Sequence, residues 1–221
     1  MSRSPSRGLP ADRPLVLPDL TPFTGERLEP RRDYDTTDFV ERDFAGDDGP
    51  DIRFLECRLQ RCNLDGASLR RARILGSLLE GVTAATIDLA DSVWRDSDVL
   101  GGRLGAVNLA GANLTRIRIQ GTRLGFLNLA GGQLDEVRFE GCEIDGIDAR
   151  AGQLRALSFV DCSIGELNVT EARLTKVDLS EARLRSLVGV DNLRGAIISR
   201  AQLLDLAPLL AEQLGLDVRP D

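Results

Sequence analysis

Large apolar residues recur at every fifth position over most of this chain. In the stretch VNLAGANLTRIRIQGTRLGFLNLAG, residues 107–131, they are Leu109, Leu114, Ile119, Leu124 and Leu129. An α-helix repeats its faces every 3.6 residues and a β-strand every 2, so a period of five fits neither. A fixed period decides the architecture before any local pattern does. The sequence therefore predicts a repeat structure rather than an ordinary globular domain.

The same frame runs from Phe54 to Leu184, and we call its members the centres. Every centre is a large apolar residue except Ala84 and Ala149. The residues two places before the centres are also uncharged from residue 107 onward, whereas charge is confined to the other three positions. Each five-residue unit thus turns two side chains inward and three outward. A short segment of this kind followed by a corner forms one side of a polygonal coil.

Several units share a local motif of a small or apolar residue, then Asn or Asp, then Leu. Examples are Ala112-Asn113-Leu114, Val107-Asn108-Leu109, Leu127-Asn128-Leu129, Val177-Asp178-Leu179 and Cys62-Asn63-Leu64. This pattern resembles the pentapeptide-repeat family, whose consensus is A(D/N)LXX. The resemblance covers roughly residues 52–187 and implies an all-β fold, a right-handed four-sided β-solenoid. Four units per coil stack residues 20 apart at about 4.8 Å, which predicts roughly seven coils.

The interior positions support four sides. The residues two places before the centres alternate between small and large with a period of ten, as in Gly102, Val107, Ala112 and Ile117. A close-packed interior needs large and small side chains to complement one another, and this alternation supplies that. The same geometry predicts that Phe139 stacks on Phe159. It also predicts one vertical column, whose side chains hydrogen-bond the turns, formed by Asp88, Asn108, Asn128, Asp148 and Asn168.

No catalytic, cofactor or metal site is predicted, so we expect a protein that is not an enzyme. The chain has no His, which removes the commonest general base and metal ligand. The four cysteines, at 57, 62, 142 and 162, all occupy inward positions and form no C-x-x-C motif. They are expected to act as small buried hydrophobic residues.

Two aromatic residues stand apart from the repeat. Trp94 is the only tryptophan and occupies a centre, where a narrow coil must either deform to bury it or let it emerge as a contact surface. Phe126 lies two places after a centre and is predicted to point outward. Exposed aromatic side chains are enriched at protein interfaces.

The frame ends after Leu187, and helical spacing follows. Ser199 and Gln202 form a capping-box pattern that predicts the start of a helix, and Pro208 is expected to kink or split that helix. Its apolar arc is wider than a surface helix needs, so the segment either caps the solenoid or also mediates homodimerisation. The candidate contacts for these two roles are Leu204, Leu206, Leu209 and Leu210.

Three regions follow from these patterns: a Pro-rich N-terminal tail at 1–33, flexible or draped along the rod, a solenoid at 34–190, and a helical cap or dimerisation segment at 191–221. The N-terminus has no apolar run of signal-peptide length, and no segment approaches the ~20 apolar residues of a membrane span. We therefore expect a cytoplasmic protein. Its net charge of −7 does not favour binding to nucleic acid or to an anionic membrane.

Two functions remain open. Some pentapeptide-repeat proteins imitate DNA and protect type II topoisomerases from inhibitors, and the resemblance brings that activity into consideration. However, residues 54–187 carry 18 acidic and 17 basic side chains, which is too balanced for a rod that imitates DNA along its whole length. The favoured function is a protein-interaction scaffold whose partner is unknown. A mimic confined to 135–148 is the alternative, with Asp135, Glu136, Glu140, Glu143 and Asp145 as its acidic interaction patch.

Overall fold

The chain forms a rod of stacked β-coils closed by one helix at its C-terminal end. A computed structural model describes residues 14–213 and 215. One sheet has 15 strands and the other has seven. The first contains β1 (Thr21–Pro22), β2 (Asp33–Asp35), β3 (Thr37–Val40), β4 (Arg53–Leu55), β5 (Arg58–Gln60), β7 (Arg73–Leu75), β8 (Leu78–Glu80), β10 (Val93–Leu100), β12 (Asn113–Gln120), β14 (Gln133–Glu140), β16 (Gln153–Arg155), β17 (Ser158–Val160), β19 (Arg173–Thr175), β20 (Val177–Asp178) and β22 (Ala196–Ile197).

The seven-stranded sheet covers the other half of the circumference. Its strands are β6 (Ala67–Ser68), β9 (Thr83–Asp88), β11 (Arg103–Asn108), β13 (Arg123–Asn128), β15 (Glu143–Asp148), β18 (Ser163–Asn168) and β21 (Arg183–Val188). We name the four walls of the coil after four consecutive centres. Wall 1 contains Phe54, wall 2 Leu59, wall 3 Leu64 and wall 4 Leu69. Walls 1 and 2 belong to the 15-stranded sheet, and wall 3 with the start of wall 4 belongs to the other.

Neighbouring coils are in register with an offset of 20 residues, as predicted. Leu114 pairs with Leu134, and Leu124 pairs with Ile144, each in parallel orientation. The predicted solenoid is therefore confirmed, but the expected number of roughly seven coils is wrong. The molecule has about nine turns, because strands pair with the solenoid at both ends beyond 52–187. Thr21 pairs with Thr37 at one end, and Val177 pairs with Ala196 at the other.

Most corners are made by the residue two places after a centre, which adopts a left-handed conformation. Many of these residues are not glycine; Arg116 has a φ of 54° and Ala151 a φ of 55°. A left-handed conformation is unfavourable for residues that carry a Cβ. The corner between walls 3 and 4 differs, because from Thr86 to Glu166 none of its residues two places after a centre has a positive φ. Phe126 occupies this corner, where a bulky side chain is not penalised.

The core is a narrow column of aliphatic side chains in which the two small centres face large ones. Ala84 and Trp94 are ten residues, or half a coil, apart and therefore lie on opposite walls. The Trp94 side chain is 5% exposed, and its Nε1 donates to Ser92 Oγ at 2.9 Å. Ala149 likewise lies half a coil from both Phe139 and Phe159, whose rings stack with centroids 4.9 Å apart. Each alanine leaves room for an aromatic ring across the coil.

The predicted polar column follows the start of wall 4 and satisfies turn amides. Asn108 Nδ2 donates to Asp88 Oδ1 at 2.9 Å, and Asn128 Nδ2 donates to Asn108 Oδ1 at 3.0 Å. Each of the three side chains also accepts from the amide two residues later, for example Ala110 N–H to Asn108 Oδ1 at 3.2 Å. These are Asx turns, in which a side chain replaces a backbone acceptor. The column is therefore structural.

The segment before the first full coil packs on the solenoid. Phe23 is buried, and its ring lies 4.6 Å from that of Phe39 and 5.7 Å from that of Tyr34. Arg42 Nη2 donates to the Phe23 carbonyl at 2.6 Å. These contacts cover the N-terminal end of the aliphatic core with aromatic rings. The sequence assigns residues 1–33 to a tail, and of these 1–13 lie outside the described residues.

The C-terminal end is closed by a 3-10 turn at Val190–Asn192, strand β22 and helix α1 (Arg200–Gln213). The predicted capping box is present: the Ser199 N–H donates to Gln202 Oε1 at 2.8 Å, and the Gln202 N–H donates to Ser199 Oγ at 3.2 Å. The Gln202 amide also donates to the carbonyl oxygens of Leu179 at 2.6 Å and Ala182 at 2.8 Å. One side chain thereby starts the helix and satisfies two carbonyl groups of the last coil. Pro208 lies inside α1 without splitting it.

Candidate interaction surfaces

Charged side chains on the walls pair mainly with the coil above or below. Stacking at about 4.8 Å brings a guanidinium within reach of a carboxylate 20 residues away. Exposed pairs of this kind stabilise by about 0–1 kcal/mol each, but they also neutralise the surface. The pairs with this spacing are Arg27 with Asp47, Arg53 with Asp33, Arg58 with Asp38, Arg61 with Glu41, Arg71 with Asp51, Arg116 with Asp96, Arg118 with Asp98, Arg123 with Glu143 and Arg155 with Asp135.

The five acids of the predicted interaction patch do not share one surface. Asp135 lies on wall 1, Glu136 at the corner to wall 2, and Glu140 on wall 2, whereas Glu143 and Asp145 lie together on wall 3. Arginines neutralise three of them. Asp135 pairs with Arg155 of the next coil, and Glu143 pairs with Arg123 of the preceding coil. Glu140 pairs with Arg138 of its own strand at 3.5 Å. The structure therefore separates these acids around the rod.

The leucines of α1 divide between the core and the surface. Leu206 is buried at 8% exposure, and Leu210 packs partly on the core. Leu204 is 67% exposed and the neighbouring Leu203 is 49% exposed. The side chain of Leu209 lies outside the described part of the structure. The buried face and the exposed face are thus carried by different residues of one helix.

Phe126 is exposed, as predicted, and stands in an uncharged part of the rod. Its side chain is 49% exposed, and its ring leans over Gly146 in the next coil. It borders a shallow groove of about 400 Å³ between walls 3 and 4. Residues 104–115 and 124–134 carry no charge and stack in this region. We call this area the Phe126 surface; Asp88 is the one charged residue that lines its groove, and the other lining residues are Gly66, Ala67, Ser68, Thr86, Ile87, Ala106, Val107, Asn108 and Asn128.

The residues before β1 form a strap along wall 2, which is the draped alternative of the sequence analysis, although the sequence did not indicate which wall it follows. Leu17 and Leu20 are half-buried, whereas Val16 is exposed. The Leu15 N–H donates to Asp98 Oδ2 at 3.2 Å, and Arg118 Nη2 donates to the same oxygen at 2.5 Å. The Asp98 and Arg118 side chains are largely buried beneath the strap. No local motif marks this contact, because it joins positions 83 residues apart.

All four cysteines are buried free thiols, as their inward positions predict. Burial raises the pKa of the Cys57 thiol to about 11 and also raises that of Cys62. Cys142 and Cys162 stack on adjacent coils, with the Cys142 N–H directed at Cys162 Sγ at 3.5 Å. The hydrogen bond with Cys142 and burial raise the pKa of Cys162. Among the described residues, no group of His, Cys, Asp and Glu side chains is arranged to hold a metal ion.

The register, the inward and outward pattern and the corner geometry define a solenoid built from five-residue units. A family model described as pentapeptide repeats, with 8 copies, matches residues 52–83. The same frame continues through the strand pairs to Leu187. The resemblance to the pentapeptide-repeat family is therefore confirmed over residues 52–83, and the rest of the solenoid keeps the same five-residue frame.

Two solved structures are similar to this chain. The crystal structure of HetL, a pentapeptide repeat protein involved in heterocyst differentiation regulation from the cyanobacterium Nostoc sp. strain PCC 7120, has 20% sequence identity and a TM-score of 0.43, covering 79% of this chain and 92% of its own. Full-length QnrB1, a plasmid-mediated fluoroquinolone resistance protein, has 13% identity and a TM-score of 0.29, covering 89% of this chain and 100% of its own. Comparison with curated proteins gave no match.

Within the described ranges, no helix has the length and apolar content to cross a bilayer.

Proposed function

We propose that this protein is a non-enzymatic scaffold that binds a protein partner, and that the Phe126 surface is its main contact. The observation that carries the proposal is the half-exposed ring beside a broad groove in which Asp88, paired with Arg70, is the one charged lining residue. Exposed apolar patches of this kind mark interaction sites, and aromatic side chains are enriched at their centres. The flat wall around the ring lets a partner approach closely.

Affinity capture from native cell extract tests this proposal. The wild type is compared with Phe126→Ser, which removes the ring, and with Glu166→Gln, a control at the same corner two coils away and outside the groove. We expect a partner that binds the wild type and Glu166→Gln but is at least tenfold depleted with Phe126→Ser, as for loss of a central aromatic contact. Equal capture by all three proteins would refute a role for the Phe126 surface.

Protection of DNA gyrase is the alternative function, and the wall charges argue against it. A DNA mimic needs dense uncompensated negative charge, since B-DNA carries one charge per ~1.7 Å. Asp135 and Glu143 of the acidic stretch 135–148 are paired with arginines. We expect purified protein to leave quinolone inhibition of gyrase supercoiling unchanged. Clear protection at stoichiometric dose would favour the mimic over the scaffold.

We further propose that α1 both caps the solenoid and contributes to self-association through its exposed leucines. The cap role is supported by the buried Leu206 and by the two hydrogen bonds from Gln202 to the last coil. The second role is supported by the exposure of Leu203 and Leu204. Leu204→Ser should lower self-association without lowering thermal stability, whereas Leu206→Ser should lower stability. Equal association by wild type and Leu204→Ser would refute the second role.

A further inference from the structure

Wall 3 carries a patch in which two acids and two arginines are separated by a small-residue floor. The acids lie on β15, the floor on β18 and the arginines on β21, so acids and arginines are two rungs apart, about 9–10 Å. They line a groove of about 680 Å³. We call this the wall 3 patch, and its residues are Glu143, Asp145, Ser163, Gly165, Arg183 and Arg185.

Three of the four charges lack an ion-pair partner within the part of the chain that the structure describes. Arg183 and Arg185 are exposed and form no salt bridge there, and Asp145 forms none either, although Arg123 of the preceding coil is close enough to attract it. Glu143 pairs with Arg123 of the preceding coil. Elsewhere on the rod, stacking at 20 residues commonly joins opposite charges. Here the intervening coil has only Ser163 and Gly165, which leaves the two charge pairs apart.

The floor of the patch is low for a structural reason. A Cβ on Gly165 would lie 2.2 Å from the Asp145 carbonyl oxygen, so this position is restricted to glycine where the two coils pack. Ser163 is the only side chain between the acids and the arginines. A second flat surface can therefore approach the middle of the patch closely enough for the flanking charged side chains to reach it.

The patch is complementary to itself in one orientation. A two-fold axis parallel to strand β18 relates the two copies so that their coils stack in opposite order. Residues at the same position along their strands then face one another. This axis places Asp145 of each copy opposite Arg185 of the other, and Glu143 of each copy opposite Arg183 of the other. Four pairs of opposite charges result. A two-fold axis along the rod would instead oppose acids to acids and arginines to arginines. The charge pattern thus selects an antiparallel pair of rods with Ser163 and Gly165 on the axis.

We infer that wall 3 is a self-association surface whose occupant is a second copy of this chain, docked antiparallel through four intermolecular ion pairs. This surface is distinct from the exposed leucines of α1 and does not depend on the proposed scaffold function. A face a few coils long buries less than the ~1,200–2,000 Å² of a stable complex, so the association is weak and transient. Because its specificity comes from exposed charges, it is sensitive to salt.

Sedimentation equilibrium of the full chain tests this inference with charge-swapped variants. Asp145→Arg and Arg185→Asp each oppose like charges across the axis, so each should weaken association at least tenfold. The double variant D145R/R185D restores complementarity and should associate like the wild type. An equimolar mixture of the two single variants should also associate, because each supplies the charge that the other lacks. Circular dichroism of each variant verifies the fold.

Ionic strength and a helix variant complete the experiment. In the Leu204→Ser background, raising salt from about 0.01 M to about 1 M shortens the Debye length from about 30 Å to about 3 Å and should abolish the association that remains. Leu204→Ser should leave the pattern among the charge variants unchanged. A wild type that stays monomeric at low salt would overturn the inference, as would single variants that associate like the wild type or a double variant that fails to recover.

Discussion

At the scale of single residues, side-chain volume is balanced across the coil. Trp94 fits a narrow interior because Ala84 stands on the opposite wall, and Phe139 and Phe159 fit because Ala149 does. The five-residue period predicts which positions turn inward, and it marks the two alanines as exceptions. The period does not show which aromatic ring each alanine makes room for, because the two residues face one another across the coil.

Exchange of volume across the coil tests this balance. Ala84→Leu should destabilise the protein by about 1–3 kcal/mol, since extra atoms are forced against Trp94. The double variant A84L/W94L should recover part of that loss, because the added and removed volumes offset one another. Chemical denaturation monitored by circular dichroism measures both free energies of unfolding. Additive effects of the two substitutions would contradict contact across the coil.

Left-handed corners that lack glycine store backbone strain. Ala151 has a φ of 55° and an exposed side chain, so Ala151→Gly should stabilise the fold by about 0.5–1 kcal/mol. Ala130 lies one position earlier in the equivalent corner of the preceding coil and has no left-handed backbone. Ala130→Gly should therefore destabilise by a similar amount, since glycine loses more entropy on folding. Thermal unfolding of both variants distinguishes strain from a general glycine effect.

The buried thiol of Cys57 makes stability fall at alkaline pH. Its folded pKa of about 11 is above the ordinary value for cysteine, so the unfolded chain loses this proton first as pH rises. The contribution of the protonated Cys57 thiol to the free energy of unfolding is complete below pH ~8.5. It falls by about 2–3 kcal/mol between pH ~8.5 and pH ~11. The free energy of unfolding of Cys57→Ala should fall less steeply over that range. Equal slopes for the two proteins would contradict a buried protonated thiol.

At the scale of elements, stacking and capping are set by separate signals. The 20-residue register was predictable, because it follows from the period and the four-sided coil. The capping box at Ser199 and Gln202 was also predictable from local sequence. The double use of Gln202 was not, since its other acceptors at Leu179 and Ala182 are brought near only when the helix folds over the last coil.

Variants of Gln202 separate its two roles. Gln202→Glu keeps an acceptor for the Ser199 N–H but cannot donate to the two carbonyl groups, and its charge repels them. It should destabilise by about 1–3 kcal/mol, because the Ala182 carbonyl loses the Gln202 donor and the Leu179 carbonyl keeps only its bond from the Ala182 N–H. Ser199→Ala removes only part of the capping box and should cost about 1 kcal/mol. Hydrogen exchange at β20 and α1 should accelerate more in Gln202→Glu, and the reverse order would contradict the cap assignment.

At the scale of the whole molecule, the sequence predicts the rod but not how its surfaces are distributed. The near balance of charge from 54 to 187 is readable from composition. Composition does not show which walls carry unpaired charge, because the pairing joins residues 20 apart in the chain. Phe126 was predicted to point outward, but its uncharged surroundings form only when residues 104–115 and 124–134 stack. The strap from Leu15 to Asp98 is equally non-local.

Site-specific photocrosslinking tests the central claim, that the rod binds a protein partner through the Phe126 surface. A photoreactive phenylalanine analogue is introduced at Phe126 or, as a control on the opposite side of the rod, at the exposed Arg95. After irradiation in the native cell, the account predicts one dominant crosslinked protein for the probe at 126 and a much weaker product for the probe at 95. Equal crosslinking at both positions, or none at 126, would contradict it.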